Sequence, residues 1–347
     1  MSFTLLIIII LACFVFDLIN GFHDAANSIA TVISTKVLTP FQAVCWAAFF
    51  NFVAFWIFDL KVANTVSKTV HPETINLVVI LAGVIAGITW NLITWRFGIP
   101  SSSSHTLMGG FAGAAVAHAM SFSVVNSEVI EKTVLFIFAA PLIGIVTGLI
   151  IATIVINLFR RVNSYKADHI FRRLQLFTSA SLSLGHGGSD SQKVIGIIMA
   201  ALAVYNGYCA KNGIYVPEWL AHKDMHHVPE WLPISCYTAI GLGTLMGGMR
   251  IIKTMGTRIT KVTPFEGIAA ETAGAITLYG VSQGLGVPVS TTHTIAGSIM
   301  GVGMLKRISA VRWGITRQLL VAWVITIPIS GMIAAIVYWI FKICGVH

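Results

Sequence analysis

Two carboxylates and two runs of hydroxyls carry the chemistry this sequence can do. Asp24 stands in Gly21-Phe22-His23-Asp24-Ala25-Ala26-Asn27-Ser28, and Asp190 in Gly187-Gly188-Ser189-Asp190-Ser191-Gln192-Lys193. Each is followed downstream by a proline and a hydroxyl cluster, Pro100-Ser101-Ser102-Ser103-Ser104-His105 and Pro288-Val289-Ser290-Thr291-Thr292-His293. A carboxylate in a Gly-rich break of an apolar stretch can coordinate a hard cation alongside backbone carbonyls, or carry a proton. Asn27, Thr31 and Gln192 offer further oxygens. Ser and Thr cap helix N-termini, and Pro suits the first turn. Such a terminus presents free N–H groups and partial positive charge to an oxyanion. Ser102, Ser103, Ser104, Ser290, Thr291 and Thr292 can thus donate to a tetrahedral anion and, being uncharged, release it again. The same hydroxyls could instead bond their own backbone or mediate helix packing. Two clusters, each with Gly two residues before the proline, favour the anion. Lys193 can either pair with Asp190 or contact the anion directly.

These groups sit in a very apolar chain. Of 347 residues 56% are hydrophobic and 10% charged, and mean hydropathy is +0.84. A polytopic helical membrane protein needs that composition and a soluble domain does not. The first apolar run, 3–16, has no basic leader and no small-residue cleavage site after it, so it reads as a retained span. The net charge of +9 comes from bases in a few short loops, as for cytoplasmic-side anchors, and is no nucleic-acid footprint. A cluster of Arg160, Arg161, Lys166, Arg172 and Arg173 divides the chain into a first repeat (1–158), a cytoplasmic linker (159–173) and a second repeat (174–347).

Residues 3–36 are too long for one span, so a break is predicted near Asn20-Gly21, and 174–208 repeats the pattern. Further spans are predicted at about 41–60, 74–97, 101–119 and 133–158, then 234–250, 264–285, 287–305 and 318–342. Loops 61–73 and 120–132 are poor in bases, whereas 250–262 and 306–317 hold four each. Opposite sidedness of equivalent loops is the mark of an inverted-topology repeat. The expected fold is an all-α polytopic membrane protein of two inverted repeats, about five crossings each, with broken or re-entrant half-helices meeting at mid-membrane. Segments 159–173, 250–262 and 306–317 would be cytoplasmic and both termini outside.

Other titratable groups are less telling. His23 adjoins Asp24 and is the better proton-relay candidate, and His186 flanks the second motif. For His105 and His293, packing or capping and proton transfer both remain open. His222, His226 and His227 suggest a metal site, but a solvated loop explains them better. Either Glu266 or Glu271 can face a cavity. Cys209 and Cys236 flank one polar loop; free structural thiols are the commoner reading.

The motifs together resemble the PiT family of inorganic phosphate transporters, over nearly the whole chain. Gly21 to Asn27 with Ile29-Ala30-Thr31-Val32 is similar to the first signature, and His186 to Lys193 to the second. Ser102-Ser103-Ser104-His105-Thr106 and Pro288 to Thr294 are similar to its two serine/threonine motifs. The resemblance implies symport of inorganic phosphate with Na+ or H+ across the plasma (inner) membrane, a homodimer in lipid and no other cofactor. Asp24, Asn27 and Asp190, with His23 and Thr31, would then serve the cation. The six hydroxyl residues, with Gln192 and Lys193, would serve phosphate. Two departures stand out: His23 where many members have Asn, and Ser189 where the second motif has Asn, which removes an amide ligand and leaves Na+ or H+ open. A sulfate permease of the same fold is the alternative. A membrane enzyme or passive channel is disfavoured: no nucleophile–base pair, metal triad or P-loop is present.

Overall fold

The computed structural model describes residues 3–71, 74–221 and 228–346. The described residues are helical and form no strand, only an isolated antiparallel bridge between Val70 and Val125. The first half holds α1 (Phe3–Ser34), α2 (Pro40–Val53), α3 (Lys61–Ser67), α4 (Leu77–Phe97), α5 (Ser103–Ala119) and α6 (Ser127–Phe159). The second holds α7 (Ser164–Lys211), α8 (Trp231–Met246), α9 (Met249–Lys253), α10 (Pro264–Thr277), α11 (Thr291–Lys306) and α12 (Trp313–Ile343). The order is the same in both. An aspartate-bearing long helix leads to a bent pair, then a helix, a hydroxyl-capped short helix and a long helix with an internal proline (Pro141, Pro328).

Among the described residues five helices are long and apolar enough to cross a membrane, or up to seven spans if each bent pair counts as one. The shorter α5, α10 and α11 lie outside that count. The short α5 and α11, of 17 and 16 residues, are partial helices. The bends lie elsewhere than predicted. Neither α1 nor α7 breaks at its polar motif; they are continuous over 32 and 48 residues. The sharp turns fall in the next span of each half, at 85° between Pro40–Trp56 and Lys61–Ser67 and at 65° between Trp231–Met246 and Met249–Arg258. The motif glycines are spent on close crossings instead of on breaks. A Cβ on Gly21 would lie 2.4 Å from Ile240 O, and one on Gly187 2.5 Å from Asn51 O. Where apolar burial cannot drive helices together, such approaches supply the packing. The predicted linker is likewise mostly helix, since α7 starts at Ser164.

α1 and α7 run antiparallel. Phe3 meets the ring of Tyr205, Asn20 meets Asp190, and Thr35 meets Gln175. Each helix serves two apolar cores. α1 gives Leu5 to Phe16 to one and Ala25 to Val32 to the other; α7 gives Val194 to Cys209 to the first and Leu182 to the second. The polar motifs are the layer left between the cores. The halves also exchange helices: α11 packs on α6 through Gly297 and Gly301, and α5 packs on α12 through Gly109 and Gly113. Cys209 and Cys236 are buried and free. His222, His226 and His227 lie outside the described residues, as does Glu73.

Candidate phosphate and cation site

On α1, Asp17, Asn20, Asp24, Asn27 and Thr31 follow one another at spacings of three and four, so they share one face. All five are buried. The facing stripe on α7 carries His186, Asp190 and Lys193 at the same spacings. Antiparallel packing brings the two together: ligand atoms of Asp24, His186 and Asp190 all lie within 4.8 Å of one another.

The two carboxylates are held differently. Asp24 Oδ1 lies 2.6 Å from His23 Nδ1, and Oδ2 accepts from Ser103 Oγ at 3.0 Å. His23 Nε2 in turn lies 3.0 Å from Thr94 Oγ1. Asp190 Oδ1 accepts from Lys193 Nζ at 2.5 Å. Its Oδ2 lies 3.3 Å from His186 Nε2 and accepts from Asn20 Nδ2 at 3.4 Å. Asp190 therefore has a permanent cation beside it, while Asp24 has a histidine and a hydroxyl.

Two helix N-termini converge on α1 at this level. Ser102 caps α5 by accepting from His105 N, and Ser290 caps α11 by accepting from His293 N, both at 3.2 Å. Each cap still has its hydroxyl proton to donate. The αL residues Gly98 (φ +66°) and Gly286 (φ +67°) turn the chain into these termini, a conformation in which glycine carries no Cβ penalty. Thr254 Oγ1 donates to Gly98 O and Thr65 Oγ1 to Gly286 O, the same clamp in both halves. Ser103 ties α5 to Asp24. Asn27 Nδ2 ties α11 to α1 by donating to Thr291 Oγ1 at 3.1 Å and Thr292 Oγ1 at 3.0 Å. Thr292 Oγ1 donates to Ser101 O at 3.2 Å, joining the two termini. Ser104 is buried in the first turn of α5. His105 and His293 pack edge to face with centroids 4.9 Å apart, and His293 stacks on Trp323 at 4.1 Å.

Two predicted residues fall away from this cluster. Thr31 donates to Glu271 Oε1 at 2.6 Å, two turns beyond Asp24, where Gln175 and Thr178 also donate to Glu271. Gln192 accepts from Val62 N and donates to Gln283 Oε1. Glu266 closes the capping box of α10 with Thr263 and pairs with Lys306 at 2.6 Å, so Glu271 is the glutamate that faces the bundle interior. Sequence reasoning missed Asn20, Thr94 and Trp323, whose Nε1 donates to Pro100 O at 3.1 Å. Asn20 was readable from its place one turn before Asp24. Nothing local in the sequence marked Thr94 or Trp323.

Buried carboxylates and helix N-termini inside a multi-pass helical protein fit a membrane transporter. The comparisons name the family. The profile of the Phosphate transporter family matches residues 20–334. The chain is 48% identical to the "Probable low-affinity inorganic phosphate transporter" of Rhizobium meliloti, over 98% of this chain and 97% of that one. It is 43% identical to the protein of the same description from Bacillus subtilis, over 97% of each. A solved structure described as "The sodium-dependent phosphate transporter" has the same fold, with TM-score 0.82 over 98% of this chain and 99% of that one at 23% identity. This protein belongs to the phosphate transporter family.

Proposed function

We propose that this protein imports inorganic phosphate together with a monovalent cation, Na+ or H+, by alternating access. The observation that carries this reading is the convergence of the α5 and α11 N-termini on Asp24 and Asn27, beside Asp190. Ser102, Ser103, Ser104, Ser290, Thr291 and Thr292, with the N–H groups behind them, are the phosphate donors. Asp24, Asp190 and His186 hold the cation, with His23 and Asn27 orienting Asp24 and the α11 terminus.

The geometry suggests why the two cargoes travel together. Ser103 spends its single proton on Asp24. A cation on Asp24 weakens that carboxylate's hold and frees the hydroxyl to donate to phosphate. The cation also offsets the mutual repulsion of two carboxylates in a layer that excludes water. Binding of either cargo thus favours the other, as linkage requires. The antiparallel α1 and α7, and the repeated order of elements around them, suit rocking of one inverted repeat against the other. The plasma (inner) membrane, cytoplasmic segments 159–173, 250–262 and 306–317, outside termini and a homodimer belong to the same reading.

Uptake of labelled phosphate and sulfate into proteoliposomes, under separately imposed Na+ and pH gradients, tests it. Gradient-driven phosphate uptake is expected. No gradient-driven uptake of phosphate, or faster uptake of sulfate, would overturn it. Phosphate binding unaffected by Ser103→Ala with Thr291→Ala would remove the anion site.

A further inference from the structure

Asp17 is a third carboxyl in the polar layer, and none of the four motifs contains it. It lies seven residues before Asp24 on the same face of α1, roughly 10 Å toward the N-terminal end. The side chain is 0% exposed, and neither oxygen meets a hydrogen-bond donor among the described residues. Each helix packed around it contributes what it has. α1 places Cys13 one turn away; α8 brings Cys236 and Tyr237; α7 brings Asp190 and Lys193 within electrostatic reach. α4 carries one charged residue, Arg96, exposed in its last turn. Lys193, the buried cation among these neighbours, is bonded to Asp190.

The charges decide what Asp17 can hold. Counting only the carboxylates and Lys193, Asp24 and Asp190 leave one negative charge, which one transported cation balances. An ionised Asp17 would add a second, uncompensated and without donors among the described residues, which a buried layer strongly disfavours. It must therefore take up a positive charge of its own. The two thiols and the phenol within electrostatic reach of Asp17 are poor ligands for a hard metal cation, which selects oxygen. A proton needs no shell. Asn20 lies between Asp17 and the site, its Nδ2 on Asp190 and its Oδ1 without a partner, so the polar stripe is continuous.

We propose that Asp17 is a proton-binding site, apart from the Asp24–Asp190 pair, that carries one proton with each phosphate. The carboxylate takes H+ from the aqueous phase on one side, becomes a neutral carboxylic acid, and returns H+ to the other side as the cycle turns. The inference rests on the phosphate-import reading and specifies its coupling.

The test is steady-state accumulation of labelled phosphate in proteoliposomes under a one-unit pH gradient with membrane potential clamped at zero. The wild-type protein, Asp17→Asn and Asp17→Glu are compared. One coupled proton fewer lowers the accumulation ratio about tenfold per pH unit. That loss is expected for Asp17→Asn, and recovery for Asp17→Glu. Equal accumulation by wild type and Asp17→Asn, or wild-type accumulation indifferent to the pH gradient, overturns the inference and leaves phosphate transport standing. A wild-type protein that takes up no phosphate under any gradient overturns both. If Asp17→Asn does not fold, infrared difference spectra of the wild-type protein on adding phosphate decide the question. A protonated-carboxyl C=O band that changes with phosphate and shifts in Asp17→Glu supports the inference; no such band overturns it.

Discussion

The buried Lys193–Asp190 pair makes a prediction whose size and pH dependence can both be worked out. Lys193 Nζ and Asp190 Oδ1 are 2.5 Å apart, with side chains 3% and 0% exposed. Lys193→Met leaves a carboxylate in the layer; Asp190→Asn leaves an ammonium. The stranded group can escape its desolvation penalty by becoming neutral, which caps the cost. From ordinary values in water, protonating a carboxylate or deprotonating an amine at pH 7 costs about 4–5 kcal/mol. Each single substitution should therefore destabilise by about 3–5 kcal/mol, the range for breaking a buried pair. Lys193→Met should sit at the lower end, because His186 and Asn20 remain beside Asp190. The signs with pH are opposite. The Lys193→Met cost grows as pH rises, by up to about 1.4 kcal/mol per unit, because protonating the stranded carboxylate becomes harder. The Asp190→Asn cost shrinks over the same range. The double variant buries no charge in this pair, so it should recover most of the loss. Chemical unfolding in detergent micelles at pH 6, 7 and 8, read by tryptophan fluorescence, measures all of this. Additive costs in the double variant, or parallel pH trends in the two singles, would refute the pairing.

Three further outcomes follow from the same geometry. Asn27→Ala removes both bonds that seat Thr291 and Thr292, and phosphate affinity by isothermal titration should fall by about 1–3 kcal/mol. Gly243→Ala would put a Cβ 2.0 Å from Leu18 O at the α1–α8 crossing. Backbone cannot yield as a side chain does, so unfolding should show a loss of at least about 1–3 kcal/mol. Trp323→Phe keeps a ring against His293 but strands Pro100 O, which should lower stability by about 1–3 kcal/mol while leaving the oligomeric state on size-exclusion chromatography unchanged.

The fold class was legible because hydropathy reports helices in membranes directly. The hydroxyl clusters were legible because capping chemistry is local: Ser102 and Ser290 sit at helix starts as their sequences say. The breaks were misplaced because glycine in a polar run has two uses, release of the backbone or admission of a neighbour. Only the neighbour distinguishes them, and for Gly21 it is Ile240, over two hundred residues away. Thr31 illustrates the same limit. Its spacing from Asp24 places it on the correct face, but its partner is set by α10, which brings Glu271 to that level. Neither Thr94 nor Trp323 carries a local mark, since each acts by touching residues of another helix.

The asymmetry between the halves bears on which carboxylate meets the cargo. Counting from the aspartates, His23 corresponds to Ser189, Asn20 to His186 and Asn27 to Lys193. In the second half the residue three places on is a cation, and it neutralises Asp190 by direct contact. In the first half the same place holds an amide, which reaches away from its aspartate to Thr291 and Thr292. Asp24 consequently keeps a charge that no fixed cation cancels, and its hydroxyl partner belongs to one of the two helix N-termini. On the proposed function, cation binding is felt at the phosphate donors through Asp24, while Asp190, already paired with Lys193, completes the cation site. Two equivalent carboxylates could not divide the work in this way. The divergence at positions 27 and 193 leaves one carboxylate without a fixed cation and one in contact with Lys193.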